Sequence, residues 1–177
     1  MLHHFEEPPI SDKNGSGAIF FSSCTLKCVY CQNFNISTCS EGKEISSQTL
    51  VSLFKQLENA GANNINLVTP THYTEQIIEA LDIYKPNIPI VWNTSGYETS
   101  ETIKKLKNYV DIFLTDIKYF SSDLSNKFSL APNYFEECSK SVLQMRKNLP
   151  EDVFEILEGY MEEKTIQEHL FFNRRGN

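Results

Sequence analysis

No stretch of this sequence approaches the roughly 18 to 20 consecutive apolar residues that a membrane-spanning helix needs. The opening run Met1-Leu2-His3-His4-Phe5-Glu6-Glu7 also lacks the apolar segment of a secretory leader. Positive charge is scarce: 16 Lys and Arg face 23 Asp and Glu, a formal net charge of −7. That balance argues against the clustered basic face that nucleic-acid binding requires, and the Arg174-Arg175 pair is too small to alter it. Internal repeats and low-complexity tracts are missing. Five cysteines without a leader do not make a disulfide framework. These absences predict a cytoplasmic protein with no membrane or nucleic-acid partner, in a reducing compartment where thiols stay free for metal. At 177 residues, 40% of them hydrophobic, the chain is large enough for one domain with a real core and short for two.

What the sequence does have is Cys24-Thr25-Leu26-Lys27-Cys28-Val29-Tyr30-Cys31, a C-x3-C-x2-C spacing directly after the apolar run Ala18-Ile19-Phe20-Phe21. Three thiolates from one short loop hold three irons of a [4Fe–4S] cube and leave the fourth open, whereas an electron-carrying cube normally takes four cysteines. An open iron can be chelated by the amino and carboxylate groups of S-adenosyl-L-methionine, and an electron can then pass to the sulfonium. Two plainer readings stand beside this one. Structural zinc usually takes four ligands in two paired sets, and only one such set exists here, with Cys39 and Cys138 standing apart. The thiols can also be incidental.

From residue 17 to about 147 the chain alternates strand-like and helix-like segments, the pattern of βα units around a parallel sheet. Strands are expected at 18–21, 65–68, 90–92 and 111–117, with no convincing fifth. Ser46-Ser47 offers an N-cap for a helix carrying Leu50, Val51, Leu53, Phe54 and Leu57, with Gly61 as its stop. Further helices are expected around Ile77, Ile78 and Leu81, around Ile103 and Leu106, at 134–147, and at 151–163 with Val153, Phe154, Ile156, Leu157 and Tyr160. The fold class is therefore α/β: a partial parallel (β/α) barrel of about four βα units plus C-terminal helices. It divides into a lead at 1–16, the βα units at 17–147 and a divergent helical segment at 148–177.

Parallel strands share one direction, so the segments after them open on one rim, where such barrels place their binding loops. That rim collects the cysteine loop, then Thr69, Thr71 and His72, then Asn93-Thr94-Ser95-Gly96, then Asp116, Lys118 and Tyr119. Hydroxyls, an amide, a carboxylate and an ammonium suit a zwitterion bearing a ribose. Each set also has a plainer explanation. His72 can serve a helix's first turn, the Asn93 group can be a turn, and Asp116 with Lys118 can be a surface ion pair worth ~0 to 1 kcal/mol.

The cysteine motif, with an aromatic residue (Tyr30) before its third cysteine, resembles the signature of the radical S-adenosylmethionine superfamily. Other blocks narrow the likeness to a pyruvate formate-lyase activating enzyme-like branch, and they span residues 3 to about 147. They include Glu6-Glu7-Pro8-Pro9-Ile10-Ser11, Gly15-Ser16-Gly17-Ala18 and Cys31-Gln32-Asn33, followed by Leu67-Val68-Thr69-Pro70-Thr71-His72, Trp92-Asn93-Thr94-Ser95-Gly96-Tyr97-Glu98 and Asp111-Ile112-Phe113-Leu114-Thr115-Asp116-Ile117-Lys118-Tyr119. The resemblance implies a partial (β/α)6 barrel, a [4Fe–4S] cluster on Cys24, Cys28 and Cys31, and reductive cleavage of S-adenosyl-L-methionine to a 5′-deoxyadenosyl radical. It implies that Tyr30 packs near the adenine while Asn93, Ser95, Asp116 and Lys118 line the ribose and methionine ends. Thr69-Pro70-Thr71 stands where many relatives carry a Gly-Gly-Glu segment that contacts the methionine amino group. Flavodoxin or ferredoxin is implied as electron donor, and a glycyl radical enzyme polypeptide as a partner to be activated. The sequence departs from the branch at Ser23, where Gly is common and where Ser restricts the loop. It departs again where a cysteine-bearing N-terminal extension and later barrel strands would stand. The alternative expectation is a shortened chain that binds a cluster or metal without turnover.

Overall fold

The computed structural model describes residues 2–4, 8–11, 14–151 and 170–173. Its centre is one sheet in the order β1 (Leu2–His3), β2 (Ser16–Phe20), β3 (Ile65–Val68), β4 (Ile90–Thr94), β5 (Ile112–Thr115), β6 (Leu170–Asn173). Strands β2 to β5 are mutually parallel, and β1 and β6 close the two edges antiparallel. Each parallel neighbour is reached through a helix: α3 (Ser47–Asn59), α4 (Thr74–Ile83) and α5 (Ser100–Lys105). The fold is a partial, open β/α barrel.

The helices form because apolar residues recur at helical spacing behind a cap. In α3, Ser46 Oγ accepts the Thr49 N–H at 3.2 Å and Leu50, Val51, Phe54 and Leu57 are buried. In α5, Thr99 Oγ1 does the same for Thr102 N–H at 3.2 Å. These faces pack on Ile65, Leu67, Ile90, Trp92 and Phe113, which project to the helix side of the sheet and join them in one core. Side chains as buried as Phe54, Ile77 and Trp92 each contribute about 1.5 to 3 kcal/mol relative to exposure.

The opposite, concave face carries two cross-strand rows, since alternate residues of a strand share a face. The lower row is Ala18, Asn66, Val91 and Ile112; the upper is Phe20, Val68, Asn93 and Leu114. Ile10 of the short helix α1 (Pro8–Ser11) packs with Val91, Ile112 and Leu114 and plugs the bottom. Asn64 Nδ2 donates to Ile10 O at 2.6 Å and Asn63 Nδ2 to Ser11 O at 2.6 Å, which pins that plug. Phe20, Val68 and Asn93 above it are only partly buried, so the concave face stays open toward the carboxyl-terminal rim.

Three expectations change. The segment 148–177 is not wholly helical: Leu170–Asn173 is the strand β6, paired with β5 from Ile112↔Asn173 to Thr115↔Leu170. Leu-Phe-Phe-Asn has neither alternation nor flanking turn signals, and its strand form comes from the free edge it pairs with. The strand expected at 111–117 spans only Ile112–Thr115. Polar residues after Ser121 form α6 (Ser122–Ser129), capped by Ser121 Oγ, where no helix was expected. The helix expected at 151–163 lies outside the described residues beyond Glu151. The helix expected at 134–147 is α7 (Tyr134–Asn148).

Candidate metal centre and its rim

The cysteine loop leaves the carboxyl end of β2 and runs to α2 (Phe34–Ser37). Its entry is strained: Ser23 sits at φ 72°, the left-handed region that favours glycine. Two bonds hold it there, Ser23 N–H to Ile36 O at 2.9 Å and the Ser23 and Ser40 hydroxyls at 2.8 Å. Leu26 is buried against Ala131, Tyr134 and Cys138 and anchors the loop's middle. Lys27 N–H donates to Ser129 O at 3.0 Å and Val29 N–H to Phe128 O at 2.9 Å, a strand-like stitch to the end of α6.

Cys24, Cys28 and Cys31 are all partly buried, Cys39 is exposed, and Cys138 is buried beneath the loop against Leu26. Burial pushes the Cys24 thiol up, the Leu26 backbone draws it down, and the neighbouring Cys28 and Cys31 push it up again. Three thiolates that repel one another in a partly buried loop are stabilised by the positively charged core of an iron–sulfur group. Among the described residues no group of three or more His, Cys, Asp or Glu side chains converges on a single-ion site. A cube contacts each cysteine at a different iron, so its thiolates stand further apart than those of one zinc.

The other rim residues have individual fates. Thr69 follows β3 at φ 56°, a strained conformation for a β-branched residue, and its N–H donates to Asn93 O at 2.9 Å. The Thr71 hydroxyl donates to Glu98 Oε1 at 2.6 Å, and Trp92 Nε1 donates to the same oxygen at 2.9 Å. Glu98 is buried, which pushes its carboxyl up, and its Oε2 has no partner among the described residues. His72 bonds to Ser22 O at 2.6 Å and so braces the cysteine loop instead of a helix turn. Asn93 stands in the upper concave row, half-buried. Asp116 and Lys118 lie past the end of β5 and form an ion pair, their side chains 35% and 27% exposed.

Two residues that the sequence did not single out organise this rim. Tyr134, buried at the start of α7, accepts the Lys118 N–H at 2.9 Å and donates toward Ser95 O at 2.6 Å, with Asp116 O at 3.2 Å. Burial holds its phenol protonated. Ser129, at the end of α6, donates to Cys28 Sγ at 2.9 Å and lies 2.7 Å from Tyr119 Oη, which in turn bonds the half-exposed Tyr30. No local sequence signal marks either, because both act across long separations. A cleft of about 280 Å³ beside the loop is lined by Thr25, Tyr97, Glu98, Thr99, Asn133 and Glu137.

A three-cysteine loop on the carboxyl-terminal rim of parallel strands defines a class of iron–sulfur protein. The chain belongs to the radical SAM superfamily, whose family model matches residues 18–167. It is 32% identical over 139 residues to an uncharacterized protein of Methanocaldococcus jannaschii, a match covering 74% of this chain and 41% of that relative. The chain thus spans about two fifths of the relative's length. Among solved structures it is similar to SuiB of Streptococcus suis, with 15% identity, a TM-score of 0.47, and 83% of this chain against 41% of that one.

Proposed function

We propose that Cys24, Cys28 and Cys31 hold a [4Fe–4S] cluster and that S-adenosyl-L-methionine binds over the concave face beside it. The observation that carries this reading is the meeting, at one end of the sheet, of the cysteine loop, the half-buried Asn93 and the Asp116–Lys118 pair. Those three cysteines would hold a group that, once reduced, would supply the electron for reductive cleavage of S-adenosyl-L-methionine to a 5′-deoxyadenosyl radical. The chain's own residues bind, orient and exclude water. Lys118 offers a point charge to the methionine carboxylate. Asn93 and Ser95 offer polar groups to the ribose, and Asp116 keeps the Lys118 ammonium at the rim. Tyr30 presents a ring to the adenine, and the Thr69 backbone closes the methionine end. Thr71, engaged with Glu98, shapes the β3 loop from behind.

The finer assignment is an oxidoreductase of the pyruvate formate-lyase activating enzyme-like kind. It would be reduced by flavodoxin or ferredoxin in a reducing cytoplasm and would act on a glycyl radical enzyme polypeptide. Support comes from the blocks around Thr69-Pro70-Thr71-His72 and Asp116-Ile117-Lys118-Tyr119. Anaerobic reconstitution should give close to four irons per chain, the content of one cube. The reduced protein should then release 5′-deoxyadenosine from S-adenosyl-L-methionine. A full cluster with no 5′-deoxyadenosine would instead mark a binding protein without turnover, and zinc retention without iron uptake would sink the cluster reading.

A further inference from the structure

We propose that Ser129, fed by Tyr119 and Tyr30, is a positioning residue that tunes the reduction potential of the metal group held by Cys28. The inference rests on the reading of Cys28 as a cluster ligand.

A serine hydroxyl has one hydrogen. Ser129 spends it on Cys28 Sγ at 2.9 Å, so the Tyr119 hydroxyl, 2.7 Å from Ser129 Oγ, must be the donor of that second bond. Tyr119 can then only accept from Tyr30. All three O–H dipoles therefore point inward, toward one sulfur. Hydrogen-bonded chains of this kind polarise one another, and more so where water is kept out. Ser129 has no exposed surface. It is also immobilised on both sides: its carbonyl accepts the Lys27 N–H at 3.0 Å, and the next residue, Leu130, turns the chain at φ 53°. The donor thus belongs to α6 while the acceptor belongs to the cysteine loop, and the backbone stitch between them sets their separation.

A ligating cysteine carries no proton, so in the loaded protein Ser129 is the donor of the pair. Reduction of an iron–sulfur group adds negative charge that spreads onto its thiolates, and hydrogen bonds to those sulfurs favour the reduced form. The Ser129 bond should therefore raise the potential and ease electron entry. Cys31, whose sulfur lies 3.1 Å from the Ser37 hydroxyl, has a local counterpart six residues along the chain. The Cys28 arrangement differs in reaching from the sulfur to the half-exposed Tyr30.

The test is an anaerobic redox titration, followed by electron paramagnetic resonance, of the reconstituted parent and of Ser129→Ala, Ser129→Thr and Tyr119→Phe. Iron and sulfide are counted in each. Ser129→Ala should keep its iron and titrate at a more negative midpoint, Ser129→Thr should match the parent, and Tyr119→Phe should shift the same way by less. An unchanged midpoint in Ser129→Ala, or an equal shift in Ser129→Thr, overturns the proposal. If Ser129→Ala fails to hold iron, Tyr119→Phe decides: a negative shift supports the proposal and none overturns it. A parent that takes up no iron and sulfide defeats the cluster reading and this inference with it, a result distinct from a loaded parent whose midpoint Ser129 does not move.

Discussion

At the scale of single residues, Glu98 is where burial and charge conflict most. Its carboxyl is buried, and burial raises it above its ordinary value of 4.5 despite the bonds from Thr71 and Trp92. Below that value the group is protonated whether the chain is folded or not. As pH rises past it the unfolded chain releases its proton first, so the folded chain binds more protons and stability falls with pH. The fall ends once pH passes the raised folded value. Glu98→Gln keeps an acceptor for Thr71 and Trp92 and cannot ionise, so urea melts across this range should show the pH-dependent loss in the parent and its absence in the variant. Lys118 poses a different question, because its pair with Asp116 is about one third exposed and on its own adds only ~0 to 1 kcal/mol to folding. If the ammonium also meets a carboxylate of S-adenosyl-L-methionine, Lys118→Ala should weaken that binding by about 1 to 3 kcal/mol. Calorimetry on the reconstituted protein would measure this, with iron content unchanged. Cys28→Ala should instead abolish the cluster, since two thiolates no longer define an open-cornered cube.

At the scale of elements, the rim is held less by the strands than by two helices packed beyond them. Helix α6 reaches the cysteine loop through its last two residues, and α7 reaches the loops after β4 and β5 through Tyr134. Tyr134 replaces the hydrogen bonding that Lys118 N–H and Ser95 C=O lose where the ladder ends. Tyr134→Phe keeps the buried ring and removes only the hydroxyl. We expect a loss of about 1 to 3 kcal/mol of stability in urea denaturation, with faster amide exchange confined to residues 95–97 and 116–119. A uniform increase in exchange would mean the hydroxyl stabilises the whole fold and does not specifically hold the rim. Gly96, next to Ser95, shows how tight this packing is. At φ 76°, an added Cβ would stand 2.7 Å from both Asp116 O and Cys138 Sγ.

At the scale of the whole molecule, an open barrel must protect two strand edges and a concave apolar face. β1 covers the β2 edge over two residues and β6 covers β5 over four. Ile10 seals the lower concave row, and the upper row stays accessible where a ligand is proposed. A chain ending at residue 169 would expose the β5 edge, a template for pairing with another copy. Light scattering should find that variant associating with rising concentration while the parent does not. An equally monodisperse variant would show that β6 is dispensable for protecting the edge.

The sequence by itself determined what local chemistry can encode. The C-x3-C-x2-C loop, the helical apolar faces of α3, α4 and α7, and the four strand centres all rest on residue type and spacing within a short window. The likeness to the activating-enzyme-like branch pointed to Ser23 as a position where glycine is common, and the loop does turn left-handed there. Tertiary structure decided everything that depends on residues meeting across long separations. Leu170–Asn173 became a strand because a parallel sheet left an edge to pair with. The Thr71 hydroxyl, grouped in the sequence with ligand contacts, turned to Glu98 because that buried carboxylate needs donors. Ser129 met Cys28 across 101 positions, and Tyr134 met Ser95 across 39. No periodicity records such pairs, because each partner alone satisfies only the local rules of its own helix or loop.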